Sequence, residues 1–220
     1  MPAMNLAMST GYDAVLWDFG GVILSSPFEA FNEFETRRGL PAEFIRRVNA
    51  TNPDANAWAR LERSDISATE FDQAFADNAA ALGHDVRGGD VLALLAGNIR
   101  PEMVEALDRV IAAGYRTACL TNNVTGDVPA DPERTAAIGA IMSRFDAVIE
   151  SSKVGVRKPE ARFYEIACAT LDVGPDRCVF LDDLGINLKP AAAMGMHTIK
   201  VLNAAQAIAD LEAALDLQLR

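Results

Sequence analysis

Five short apolar runs, each cut off by a polar residue or glycine and separated by helical patterns, constrain this 220-residue chain more than any other feature. Ala14-Val15-Leu16-Trp17, ended by Asp18, is the first. Thr117-Ala118-Cys119-Leu120, Ala147-Val148-Ile149, Cys178-Val179-Phe180-Leu181 and Thr198-Ile199-Lys200-Val201 follow. Each is too short for a helix, and apolarity that is continuous rather than alternating marks strands buried on both faces, as in a parallel sheet. Between them, Pro101 opens a helical pattern carrying Val104, Leu107 and Ile111, and Gly114 stops it. A second pattern runs from about Glu160 to Leu171, with Gly174 beyond. The alternation predicts an α/β fold built on a doubly wound parallel sheet.

From about Pro27 to Asn98 the alternation lapses into helix after helix. Ser26 and Pro27 start a segment that puts Phe28, Phe31 and Phe34 on one face before Gly39 ends it. Ser67-Ala68-Thr69-Glu70 has the form of a capping box, and Ile66 with Phe71 makes the matching hydrophobic staple. Phe71 and Phe75, four apart, share a face and read as core packing. These signals predict a core formed by residues 12–26 and 99–220, an inserted all-helical cap over 27–98, and a loose leader over 1–11.

Thirty-one acidic residues against 20 basic ones give a net charge of −11. Nucleic acid is excluded as a partner, because its binding needs clustered positive charge to replace counterions. No apolar run approaches the roughly 20 residues needed to span a bilayer, so no membrane partner is expected. The first Lys or Arg is Arg37, which leaves the amino terminus without the basic start of a secretory signal. Cys119, Cys168 and Cys178 form no C-x-x-C pair and read as buried thiols in a reducing compartment. A cytoplasmic setting is expected, while oligomeric state is not legible here. Phosphate-loop, dinucleotide, zinc-protease and serine-hydrolase motifs are absent.

In an open parallel sheet, ligands bind at the carboxyl ends of the strands. The first run delivers Asp18, the second Thr121 with Asn122, and the fourth Asp182 with Asp183. The stretch after the third, Lys153-Val154-Gly155-Val156-Arg157-Lys158-Pro159, brings three cations. Carboxylates gathered on one rim raise one another's pKa unless a cation sits among them, and a few hard oxygen ligands suit Mg²⁺ shared with a phosphate. Each piece alone has an ordinary explanation. Asp18 can be a turn residue, Asp182-Asp183 a helix N-cap pair, Thr121-Asn122-Asn123 a turn, and Lys158 a solvated charge. Their ordered combination is what carries chemical meaning. His84 and His197 read as structural.

The combination resembles the haloacid dehalogenase-like hydrolase superfamily over nearly the whole chain. Its four motifs match Asp18-Phe19-Gly20-Gly21-Val22, Thr121-Asn122, Lys158-Pro159 and Asp182-Asp183. Val156-Arg157-Lys158-Pro159-Glu160 and the stretch from Phe180 through Asp182-Asp183-Leu184-Gly185 to Pro190 are similar to the amino-terminal phosphatase domain of soluble epoxide hydrolase and its relatives. The resemblance implies a Rossmann-like core with a helical cap, and a Mg²⁺-dependent phosphatase acting on a small phosphorylated metabolite. It makes Asp18 the nucleophile that forms an aspartyl-phosphate. Mg²⁺ would be held by Asp18, the carbonyl of Gly20 and Asp183, with Asp182 assisting. Thr121 and the Asn122 amide would bind phosphate oxygens, and Lys158 would pair with Asp18 and the phosphoryl group.

One departure stands out. Many phosphatases of this superfamily carry a second Asp two residues after the nucleophile as general acid and base, and here that position is Gly20. Such help is worth roughly 10²–10⁴-fold in rate. The sequence therefore predicts a substrate with a good leaving group or a proton donor supplied elsewhere. Two alternatives stand beside this reading. One is metal-independent hydrolysis of a 2-haloacid by the same Asp18, against which the Asp182-Asp183 pair argues. The other is a catalytically weak phosphate-binding protein. Trp58 and Arg60 are candidate substrate-facing residues of the cap.

Overall fold

The computed structural model describes residues 11–95, 97–123 and 132–219. The expected leader lies outside them except for Gly11. Five strands form one sheet: β1 (Ala14–Trp17), β2 (Arg116–Thr121), β3 (Ala147–Glu150), β4 (Cys178–Asp182) and β5 (His197–Lys200). Their order is β3-β2-β1-β4-β5, and all four pairings are parallel. The chain builds outward from β1 first to one side and then to the other, so β1 is the topological switch point where such sheets bind ligands. Trp17 is in register with Cys119 on β2 and with Leu181 on β4. The residues following these strands therefore emerge together on one rim.

Successive strand side chains alternate between faces. Val15, Trp17, Cys119, Val179 and Leu181 pack against α6 (Pro101–Ala112) and α11 (Ala204–Leu215). Ala14, Leu16, Ala118, Leu120 and Phe180 pack against α9 (Ala161–Leu171) and α10 (Gly185–Ala193). Both faces are covered, which is why the runs carry no polar stripe. A further helix, α7 (Pro132–Met142), follows β2, and the four-residue α8 (Ser151–Val154) follows β3.

The insert contains α1 (Pro27–Arg38), α2 (Phe44–Ala50), α3 (Ala57–Glu62), α4 (Ala68–Ala81) and α5 (Gly88–Ala93). They enclose a third apolar cluster of their own, which includes Phe31, Phe34, Phe44, Phe71 and Phe75. The Phe71 and Phe75 rings stand 5.5 Å apart, and the capping box at Ser67 and Glu70 is formed. Gly39 takes the left-handed conformation that ends α1. Where the insert leaves and rejoins the sheet, the two chain segments run antiparallel. Leu24 bridges Ile99, and Ser25 N–H donates to the Asn98 carbonyl at 2.7 Å. Among the described residues, no helix is long and apolar enough to cross a membrane.

Candidate active site

Asp18 follows β1 directly and is still tied to the sheet, its N–H donating to the Leu181 carbonyl at 2.9 Å. Its Oδ1 accepts from the Phe19 N–H at 2.6 Å. The chain then makes one wide turn over Phe19–Ile23, closed by the Leu24 N–H on the Phe19 carbonyl at 2.8 Å. Gly21 has φ +78° in this turn, and a Cβ there would sit 2.2 Å from Asp183 Oδ2. Only glycine lets the turn lie against the Asp183 carboxylate. Gly20 is different: its φ is −70°, and a Cβ meets nothing within 4 Å. Arg100 fixes the turn from behind, donating from Nη1 to the Gly21 carbonyl at 2.8 Å.

Lys158 is buried, and its ammonium bridges two strand ends, 2.8 Å from Asp18 Oδ1 and 2.8 Å from Asp182 Oδ2. Burial alone would lower its pKa, but the two carboxylates outweigh this and raise it, so the ammonium stays charged. The Asn122 side chain aligns the lysine's backbone. Its Oδ1 accepts from the Lys158 N–H at 2.9 Å, and its Nδ2 donates to the Lys158 carbonyl at 3.0 Å. Asp182 is held on both oxygens. Leu184 N–H donates to Oδ1 at 2.8 Å, and Asn187 Nδ2 reaches each oxygen at 3.1 Å. Asp183 is half-buried and accepts from Ser26 Oγ at 3.1 Å.

Asp18, Asp182 and Asp183 present oxygens that all lie within 4.8 Å of one another, a carboxylate cluster with the spacing of a metal site. Burial raises the Asp18 carboxyl well above the usual range; Lys158 opposes this, and the two neighbouring aspartates add to it. Burial, reinforced by the charge of Asp182, pushes Asp183 up to about 6. Three carboxylates share a single ammonium. The oxygen donors and the uncompensated charge fit a hard divalent cation such as Mg²⁺.

The rim thus assembles Asp18, Lys158, Asp182 and Asp183, with Gly20 in the adjoining turn and Thr121 and Asn122 ending the neighbouring strand. Of the three cations after β3, only Lys158 enters. Lys153 is exposed and pairs with Glu150, and Arg157 pairs with Glu62. Asp182-Asp183 is not the N-cap of α10, since that position is Leu184. His84 packs edge-to-face against Phe44, and His197 lies tilted against Tyr12, both packing contacts. Sequence reading missed Ser26, Glu62, Arg100 and Asn187, whose partners lie five to 157 residues away along the chain. Asn187 had the best available signal, since it falls within the stretch that carries the Asp182-Asp183 resemblance.

The haloacid dehalogenase-like hydrolase family matches residues 12–195, and the chain belongs to that family of enzymes. It is 32% identical over 218 residues to acyl-CoA dehydrogenase family member 10 of Mus musculus, a match covering 94% of this chain. It is 31% identical over 207 residues to mouse bifunctional epoxide hydrolase 2, covering 89% of this chain. The matches span only 20% and 37% of those two proteins. Other relatives are named as phosphatases and as (S)-2-haloacid dehalogenases. A HAD family enzyme from Bacteroides thetaiotaomicron, solved with magnesium and inorganic phosphate, superposes with a TM-score of 0.58 at 16% identity. That superposition covers 86% of this chain and 93% of the other. This establishes the Rossmann-like fold.

Proposed function

We propose that the protein is a Mg²⁺-dependent phosphatase that releases phosphate from a small phosphorylated metabolite through an aspartyl-phosphate on Asp18. The observation that carries this reading is the meeting of Asp18, Lys158 and the Asp182-Asp183 pair at one buried rim. Asp18, the Gly20 carbonyl and Asp183 would hold the ion, which when bound would offset the repulsion between a carboxylate and a phosphate dianion. Asp182, with both oxygens already hydrogen-bonded, serves chiefly to anchor Lys158.

Lys158 and the Phe19 N–H grip Asp18 by Oδ1 and so fix the direction of the carboxylate. An Asp18 oxygen attacks phosphorus, the phosphorus–oxygen bond to the leaving group breaks, and water then attacks phosphorus to free phosphate and regenerate the carboxylate. Thr121 and the backbone amide of Asn122 would meet the phosphoryl oxygens, since the Asn122 side chain is already spent on Lys158. Gly20 has no proton to give, so the leaving group departs best when it is a stable anion. Residues 12–26 and 99–220 would form the catalytic core, and 27–98 a cap that excludes water. Three buried free thiols support a reducing, cytoplasmic setting.

Purified protein assayed against a panel of phosphate esters, with Mg²⁺ and with EDTA, tests the proposal. Phosphate release that disappears in EDTA and returns with Mg²⁺ is expected, as is its loss in Asp18→Asn. Halide release from a 2-haloacid that survives EDTA would instead establish the dehalogenase reading.

A further inference from the structure

Glu62, the last residue of α3, is a carboxylate only 5% exposed at the junction between the insert and the sheet rim. Burial raises its pKa, partly offset by the Arg157 charge and by a hydrogen bond from Trp58. Arg157 forms an ion pair with it through Nε, and Asn122 Nδ2 reaches its Oε2 at 3.5 Å. Both partners frame Lys158. Arg157 precedes it in the chain, and Asn122 is the side chain that grips its N–H and carbonyl. The next insert residue repeats the contact with opposite sign, since Arg63 Nε lies 2.9 Å from Glu160 Oε1. Arg157 also donates from Nη1 to the Pro53 carbonyl at 3.2 Å.

A continuous polar line therefore runs Glu62–Asn122–Lys158–Asp18, from the helical insert to the proposed nucleophile. An apolar residue at position 62 would dock the insert on the sheet rim without desolvating a charge, and a buried charge stripped of one partner is strongly destabilising. We infer that Glu62 is a positioning residue, through which the seating of the helical insert aligns Asn122 and the Lys158 ammonium on Asp18. Its effect on turnover rests on the phosphatase reading, whereas its effect on the Lys158 backbone does not. With the insert unseated, Glu62 leaves, Asn122 loses one of its anchors, and the lysine is no longer held to the 2.8 Å contact.

The test pairs kinetics with peptide-resolved hydrogen exchange on the full chain. For Glu62→Gln with p-nitrophenyl phosphate and Mg²⁺, kcat is expected to fall about tenfold. KM should stay within about twofold, as befits a lost alignment rather than lost binding. Exchange of the Lys158 amide should rise while that of α4 stays unchanged, and Glu62→Asp should recover part of the rate. Arg157→Gln cuts the same link from the other side and should reproduce the pattern. The double variant Glu62→Gln/Asn122→Ala should fall no lower than Asn122→Ala alone, because residues acting in series are not additive. An unchanged kcat with unchanged Lys158 exchange would overturn the inference. So would exchange rising equally through α4, which would mean simple undocking. Wild-type inactivity toward every ester would overturn the phosphatase reading alone, and the exchange arm would then decide the role of Glu62.

Discussion

At position 21 a methyl group has nowhere to go, whereas one residue earlier it meets open space. Gly21→Ala must push the Asp183 carboxylate aside and hold alanine at φ +78°, a strain of about 1–3 kcal/mol. It is expected to lower the melting temperature and abolish phosphate release, measured by calorimetry and a phosphate assay. Gly20→Asp is expected to fold normally, since its side chain starts in free space. By restoring a proton donor, it should flatten the dependence of rate on leaving-group pKa across substituted phenyl phosphates, with gains of up to about 10²-fold for the poorest leaving groups. An unchanged slope would show that protonation is supplied elsewhere. Asp18, Asp182 and Asp183 were legible in the sequence because strand ends in a parallel sheet share a rim, and Lys158 only through the motif resemblance that singles it out from Lys153 and Arg157. The different sensitivities of Gly20 and Gly21 were not, because the group that leaves no room for a Cβ at Gly21 is a carboxylate 162 positions away.

The helices and strands divide along similar lines. Those with local punctuation fall where it predicts. Pro27 and Gly39 bracket α1, Pro101 opens α6, and β1 is the four-residue run itself. The capping box at α4 is a local device with a local cost. Ser67→Ala removes the acceptor for the Glu70 N–H, costing about 1 kcal/mol. The urea midpoint should fall accordingly, while kcat stays at the wild-type value because α4 lies outside the polar line to Lys158. Elements without such signals were not legible. α10 contains Pro190 and has no side-chain cap, and it is set by Asp182 taking the Leu184 N–H and by the packing of Leu188 and Ala191. The wide turn at Phe19–Ile23 depends on Arg100 and Asp183, partners that no local pattern announces.

For the molecule as a whole, the balance of charge dominates. A chain of net charge −11 concentrates three carboxylates around one ammonium at the rim of its sheet. An ion that binds there only in the folded state stabilises it by about 2.7 kcal/mol at a hundred times its dissociation constant. Adding Mg²⁺ to EDTA-treated protein should therefore raise the unfolding temperature. Asp183→Asn should reduce that rise, and NaCl of matched ionic strength should not reproduce it. Equal shifts with Mg²⁺ and NaCl would point to general screening instead. Among the described residues, apolar side chains gather into three clusters, one on each sheet face and one inside the insert. The ion pairs joining insert and sheet carry no sequence signal, since a glutamate at a helix end is common on any surface.

The antiparallel crossing of Leu24-Ser25 with Asn98-Ile99 means that some seventy residues depart from and return to nearly the same point in space. Evolution can lengthen, shorten or replace that excursion without redrawing a single strand. The strands can thus stay as they are while the excursion varies, provided its contacts at Glu62 with the sheet rim are kept.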